Sequence, residues 1–229
     1  MLTWGSGDRV ALLIHGMLGA AAQYHSVGPA LAARGYRAIA IDLPGHGEAP
    51  AAPGATMDDF AGAVLAAASA PAVAIGHSLG AIVLSHALPR LRPERAVYVD
   101  VPLDGRGGPA ASESELRERF ASAQASRTEA RLRSRPGWST EDCRVEAEAA
   151  ERFDVDTAVS LERTYTGQAA AAPPVPSLVV RADPSRYVSA QRARELEELG
   201  YCVRSVPGAG HSVWYGRLDD FMGVLDEWL

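Results

Sequence analysis

The stretch Gly76-His77-Ser78-Leu79-Gly80 carries the chain's clearest chemical signal. A serine hydroxyl becomes a nucleophile only when its surroundings activate it. Here the flanking residues supply those surroundings. Ala72-Val73-Ala74-Ile75 reads as a short buried strand, and Ala81-Ile82-Val83-Leu84 continues at helical spacing. Strand, Gly-flanked turn and helix together form a nucleophile elbow. Glycine at 76 and 80 lets the turn close where a side chain would crowd the next strand or helix. The Ser78 hydroxyl then stands at a helix N-terminus, whose dipole and free N–H groups favour developing negative charge. An ordinary Gly-rich turn with an incidental Ser is the plain alternative, and the apolar strand before it argues against that.

The elements that must position this turn alternate at short intervals. Val10–Ile14 reads as a buried strand running into His15-Gly16-Met17-Leu18-Gly19. A helix follows within Tyr24–Gly35, then a strand over Arg37–Ile41 and the turn Asp42-Leu43-Pro44-Gly45-His46-Gly47. A helix over about Met57–Ala70 leads to the elbow strand, and the helix after Ser78 runs to about Leu91. Ala96–Val99 is a further strand, ending in Asp100-Val101-Pro102-Leu103. Such alternation predicts a parallel sheet covered on both faces.

The pattern breaks from Asp104 to about Ala172, where no apolar strand occurs. Glu113–Arg135 alternates Glu and Arg and predicts one solvated helix laced by i,i+4 pairs. Helices over Glu141–Phe153 and Val155–Tyr165 follow, and Pro173-Pro174-Val175-Pro176 closes the segment. This excursion stands where a lid would sit. Phe120, Phe153, Tyr165 and Trp138 are candidates for its underside, although a small core of the lid's own is the better reading for most of them. The sheet resumes at Ser177–Val180, followed by Arg181-Ala182-Asp183-Pro184. A helix over Ser189–Gly200, a strand over Tyr201–Val206, the loop Pro207-Gly208-Ala209-Gly210-His211 and a C-terminal helix complete the chain. The organisation expected is core 1–103, helical lid 104–172 and core 173–229.

Composition bounds the function. A formal charge of −6 gives no basic footprint for nucleic acid or an anionic membrane. The two cysteines, Cys143 and Cys202, lack metal-type spacing and suit a reducing compartment, with one disulfide left open. Met1–Asp8 shows no basic and apolar leader pattern, and no apolar run is long enough to span a bilayer. The expectation is a cytoplasmic protein with a small-molecule partner, its oligomeric state open.

Four motifs occur in a familiar order: His15-Gly16, Asp42-Leu43-Pro44-Gly45-His46-Gly47, Gly76-His77-Ser78-Leu79-Gly80 and Gly208-Ala209-Gly210-His211. With them the chain resembles the α/β-hydrolase superfamily over nearly all its length except the inserted helical segment. The resemblance implies an α/β-hydrolase fold, a mostly parallel sheet of six or seven strands flanked by helices. Members usually open with an antiparallel hairpin. Only about nine residues precede the first buried strand here, so that edge is expected to be trimmed.

By the same resemblance Ser78 is the nucleophile and His211 the general base. The backbone N–H groups of Met17 and Leu79 form the oxyanion hole. Leu18, Trp138 and Trp214 are expected to line an apolar substrate pocket. His15, His46 and His77 read as structural or pocket-lining, and His25 and His86 as incidental. The acid departs from the common pattern, in which an Asp lies three residues beyond a strand-ending Gly. Here Ala182 stands at the Gly position and Ser185 at the Asp position. Asp100, after the preceding strand, is the preferred substitute, since some members such as haloalkane dehalogenases carry the acid there. Asp183 is the alternative. The implied activity is ester hydrolysis through an acyl-enzyme, with no metal or organic cofactor. Carbon–carbon hydrolase or lyase chemistry, and a receptor using the same pocket, are the other readings.

Overall fold

In the computed structural model, which describes residues 1–105 and 111–229, one sheet of seven strands organises the chain. The strands are β1 (Leu2–Trp4), β2 (Arg9–Ile14), β3 (Tyr36–Ile41), β4 (Val73–His77), β5 (Arg95–Val99), β6 (Ser177–Asp183) and β7 (Cys202–Pro207). Their order across the sheet is β1-β3-β2-β4-β5-β6-β7. All neighbours run parallel except β1, which pairs antiparallel with β3. This is the α/β-hydrolase fold expected from the motifs. That edge carries one short strand, β1, which the sequence pattern does not reveal. Three residues give too little periodicity to read; Trp4 anchors them by lying over Gly28, where a Cβ would come within 2.2 Å of its ring.

Alternation along each buried strand divides the core. Leu12 and Ile14 face one layer; Ala11 and Leu13 face the other. The first layer holds α2 (Met57–Ala67), α3 (Leu79–Leu91) and α8 (Ala190–Glu198), which contribute Phe60, Val64, Val83, Leu84 and Leu196. The second holds α1 (Val27–Ala32) and α9 (Leu218–Asp226), which contribute Leu31, Phe221 and Leu225. Layers on both faces explain why β4 is buried at every position rather than at alternate ones.

Between β5 and β6 lie α4 (Glu113–Ala125), α5 (Glu129–Leu132), α6 (Thr140–Glu151) and α7 (Val155–Thr164). Residues 106–110, at the start of the helical segment, lie outside those described. The single helix expected over Glu113–Arg135 is two. Thr128 caps a new start by accepting a hydrogen bond from the Arg131 N–H, and Arg127 turns inward toward Met17 and Glu146. The surface pairs are present, Arg117 with Glu113 and Arg133 with Glu129. Beneath them Leu116 and Phe120 pack with Phe153, Ala158 and Val159. Phe120 and Phe153 therefore belong to the segment's own core. Both cysteines are free thiols. Among the described residues no helix is long and apolar enough to cross a membrane.

Candidate active site

The parallel strands bring their C-terminal ends to one rim, and the site is assembled there. Ser78 follows β4 directly, with φ +51° and ψ −116°, and caps α3. Its N–H donates to the Val99 carbonyl at 3.0 Å, so the sheet itself holds the strained turn. The flanking glycines have no room for a side chain. A Cβ at Gly80 would lie 2.2 Å from the Ile14 carbonyl oxygen, and one at Gly76 would lie 2.5 Å from that of Gly80. The Ser78 hydroxyl is left half-buried with no hydrogen bond to a described residue.

Asp100 follows β5, also with positive φ (+49°), and is 1% exposed. An uncompensated carboxylate there would be costly. It is compensated three times. One oxygen accepts from the Ala182 N–H at 3.1 Å and from the Ser185 hydroxyl at 2.7 Å. The other accepts from His211 Nδ1 at 2.8 Å. Donating through Nδ1 leaves His211 Nε2 as the nitrogen able to take a proton.

Asp183 does not share in this arrangement. Its side chain is half-exposed and pairs with Arg181 Nη2 at 3.0 Å. The alternative acid is thereby corrected: Asp183 ends β6 facing solvent, with its charge met by a neighbour on the same strand. The sequence offers Ser185 only as the residue standing in place of the family's Asp. Besides donating to Asp100, it accepts from the N–H groups of Tyr187 and Val188 at 3.0 and 2.9 Å. Its position at the expected acid site is the signal that could have found it.

Three buried histidines frame the site, and burial disfavours the charged form of each. His15 donates from Nδ1 to the Gly16 carbonyl at 2.8 Å and accepts the Leu43 N–H on Nε2 at 3.0 Å. It ties the loop after β2 to the loop after β3, and burial lowers its pKa. His77 donates from Nε2 to the His211 carbonyl at 2.9 Å, and its ring lies 4.6 Å from the His211 ring. Burial and the neighbouring His211 hold its pKa well below the ordinary histidine value. Its Nδ1 faces Gly16, where a Cβ would sit 2.9 Å away, so only glycine fits. His46 donates to the Pro44 carbonyl and packs edge-on to Phe60 and Phe153. Burial, then His15, pushes its pKa down to about 3.

Met17 and Leu79 occupy the loop after β2 and the first turn of α3, and neither N–H donates to a described residue. Arg127 donates to the Met17 carbonyl at 3.4 Å, linking the helical segment to this loop. Among the described residues no cluster of His, Cys, Asp and Glu is gathered for a metal.

A sequence profile described as "Alpha/beta hydrolase family" matches residues 11–222. The chain belongs to this family. Solved alpha/beta hydrolase structures superpose on nearly all of it. A bromoperoxidase from Bacillus anthracis gives a TM-score of 0.79 at 16% identity, covering 99% of this chain and 93% of the other. An N-formylmaleamic acid deformylase from Pseudomonas putida gives 0.72 at 23% identity, with 96% and 92% covered. An esterase from a marine microorganism gives 0.73 at 16% identity, with 100% and 98% covered. At these identities the likeness is one of fold. Among curated proteins no sequence match is found.

Within this alpha/beta hydrolase the three expected pocket residues differ in exposure. Trp214 is 1% exposed, stacks on Tyr24 and donates to the Gln23 carbonyl at 3.1 Å. It is core beneath the loop, because its indole fills the space between α9 and the loop after β2. Leu18 is buried against Leu116, Phe120 and Phe153, serving the helical segment's core. Trp138 packs on Tyr215 and lines, together with His211, an opening of about 410 Å³. His25 and His86, expected to be incidental, each meet an Asp on a packed helix: Asp142 at 2.9 Å and Asp58 at 2.8 Å.

Proposed function

We propose that this chain is a serine hydrolase of carboxylic esters, acting on apolar small molecules through an acyl-enzyme. The observation that carries the reading is the Asp100–His211 bond of 2.8 Å at the same rim as the strained Ser78. Family membership and the presence of an esterase among the structural neighbours support it.

In this mechanism Ser78 Oγ attacks the ester carbonyl carbon while His211 Nε2 takes its proton. Asp100 holds the ring in the δ-protonated tautomer and offsets the imidazolium charge. The N–H groups of Met17 and Leu79 receive the oxyanion; both are uncommitted, as such donors must be. His211 returns the proton to the leaving oxygen, and the C–O bond breaks. Water activated by His211 then releases the acid.

The test is reaction with a fluorophosphonate serine probe read by intact mass. Wild type is expected to gain one adduct and Ser78→Ala none. Asp100→Asn should label roughly 10⁴-fold more slowly, the scale seen when a triad acid is neutralised. Asp183→Asn should label at the wild-type rate. An unlabelled wild type would overturn the reading.

A further inference from the structure

A cavity of about 360 Å³ lies beside the site, and nothing assigned so far uses it. Ile82, one turn beyond Ser78 on α3, forms part of its wall with Val101, Leu103, Tyr165 and Tyr187. Tyr187 joins it to the site directly, because its half-exposed ring lies 4.2 Å from that of His211. Asp104 and Arg186, of opposite sign, also line it, so the cavity selects neither charge.

The cavity is constructed rather than a packing gap. Arg192 donates to the carbonyls of Pro102 and Leu103 at 2.7 and 2.8 Å. Leu103 is held at φ +46°. The Ala170 N–H donates to the same Leu103 carbonyl at 2.8 Å, and Asp104 bridges to Ala169. The Tyr165 hydroxyl accepts from the Gln168 N–H at 3.0 Å. These bonds fix the backbone of the wall in advance, which lowers the cost of ordering it around a ligand.

Resting on the ester-hydrolase reading, we infer that this cavity receives the leaving group, an uncharged alcohol with an apolar body. The proton geometry chooses the half of the ester. His211 delivers its proton to the leaving oxygen as the C–O bond breaks, so the alcohol departs along the imidazole. The cavity shares the Tyr187 wall with that imidazole, whereas Met17 and Leu79 lie on the oxyanion side.

Two ester series test this, acetates of methanol, butanol and hexanol against methyl butanoate and methyl hexanoate. Ile82→Trp fills the cavity and Ile82→Ala enlarges it; thermal melts establish that each variant is folded. Ile82→Trp should lower kcat/KM for hexyl acetate relative to methyl acetate at least ~tenfold, and Ile82→Ala should shift the ratio the other way. The methyl alkanoate series should hold its order. All acetates share one acetyl-enzyme, so the deacylation rate should stay common to them and unchanged, which general damage to the site would not allow. Leu103→Trp should repeat the effect from the opposite wall. A shift in the acyl series instead, equal shifts in both, or none overturns the assignment. So does a wild type that labels at Ser78 yet turns over neither series. A wild type that fails to label overturns the ester-hydrolase reading itself and this inference with it.

Discussion

Ser185 shows how much a single hydroxyl can organise. It donates once, to Asp100, and accepts twice, from the N–H groups of Tyr187 and Val188. The carboxylate that orients His211 and the backbone that carries Tyr187 onto the same ring are therefore joined through one atom. Hydrogen bonds to charged groups contribute about 1.5–3 kcal/mol, so Ser185→Ala should slow fluorophosphonate labelling roughly tenfold or more while the fold persists. Ser185→Thr, which keeps the hydroxyl, should recover most of the rate. An unchanged labelling rate in Ser185→Ala would show that Asp100 needs only Ala182 and His211. At this scale the sequence is legible where chemistry is local. Ser78 is announced by its own flanking glycines. The choice between Asp100 and Asp183 is not local, because β5 and β6 are neighbours and end at the same rim. Only the direction of each side chain separates Asp100, turned inward, from Asp183, turned to Arg181 and water.

Elements marked by punctuation lie close to where their end signals stand. The helix expected to finish at about Leu91 spans Leu79–Leu91, and Arg92 ends it in the left-handed conformation. No Gly or Pro marks the break between α4 and α5, although the Glu and Arg residues stop at Arg119 and resume only at Arg127. Its cause is tertiary: Arg127 leaves the surface to reach Met17 and Glu146. Glycines at this scale divide by surroundings. Gly80→Ala forces a methyl against the Ile14 and His15 carbonyl oxygens, at 2.2 and 2.5 Å, where backbone cannot yield. It should cost roughly 3 kcal/mol, read as a lowered denaturant midpoint. Gly62, exposed within α2, has nothing within 4 Å of where a methyl would stand. Gly62→Ala should raise stability by about 0.5–1 kcal/mol. If both substitutions moved the midpoint alike, helix propensity rather than backbone approach would govern the elbow.

Across the whole molecule His46 stands where the layers meet, touching His15 below, Phe60 of α2 beside it and Phe153 of the helical segment above. Unfolded, it takes up a proton near pH 6.5; folded, it resists until about 3. Between those values the unfolded chain binds more protons, so stability falls as pH falls, and this contribution levels off below the folded value. The slope for one proton is about 1.4 kcal/mol per pH unit. His15 and His77, lowered by burial as well, act in the same direction. Urea midpoints between pH 7 and 4 should decline, and more gently in His46→Phe, whose ring suits the same aromatic surroundings. An equal decline in both would assign the acid sensitivity to other groups. Legibility is lowest at this scale. That Trp214 is core, and that a cavity lies between Ile82 and Tyr187, depend on distances between segments far apart in the chain.

The bridge between Asp104 and Ala169 has a consequence for how such a chain can be rebuilt. It fastens together the two ends of the helical excursion, forming a neck. A Cβ on Gly105 would already lie 2.6 Å from the Ala169 nitrogen. Ser78, Asp100, Ser185 and His211 all lie outside this neck in the chain. The excursion is thus a cassette on a closed stem. Grafting a different helical segment onto that stem asks little new loop closure of the sheet, so the segment can be exchanged while these four residues stay registered.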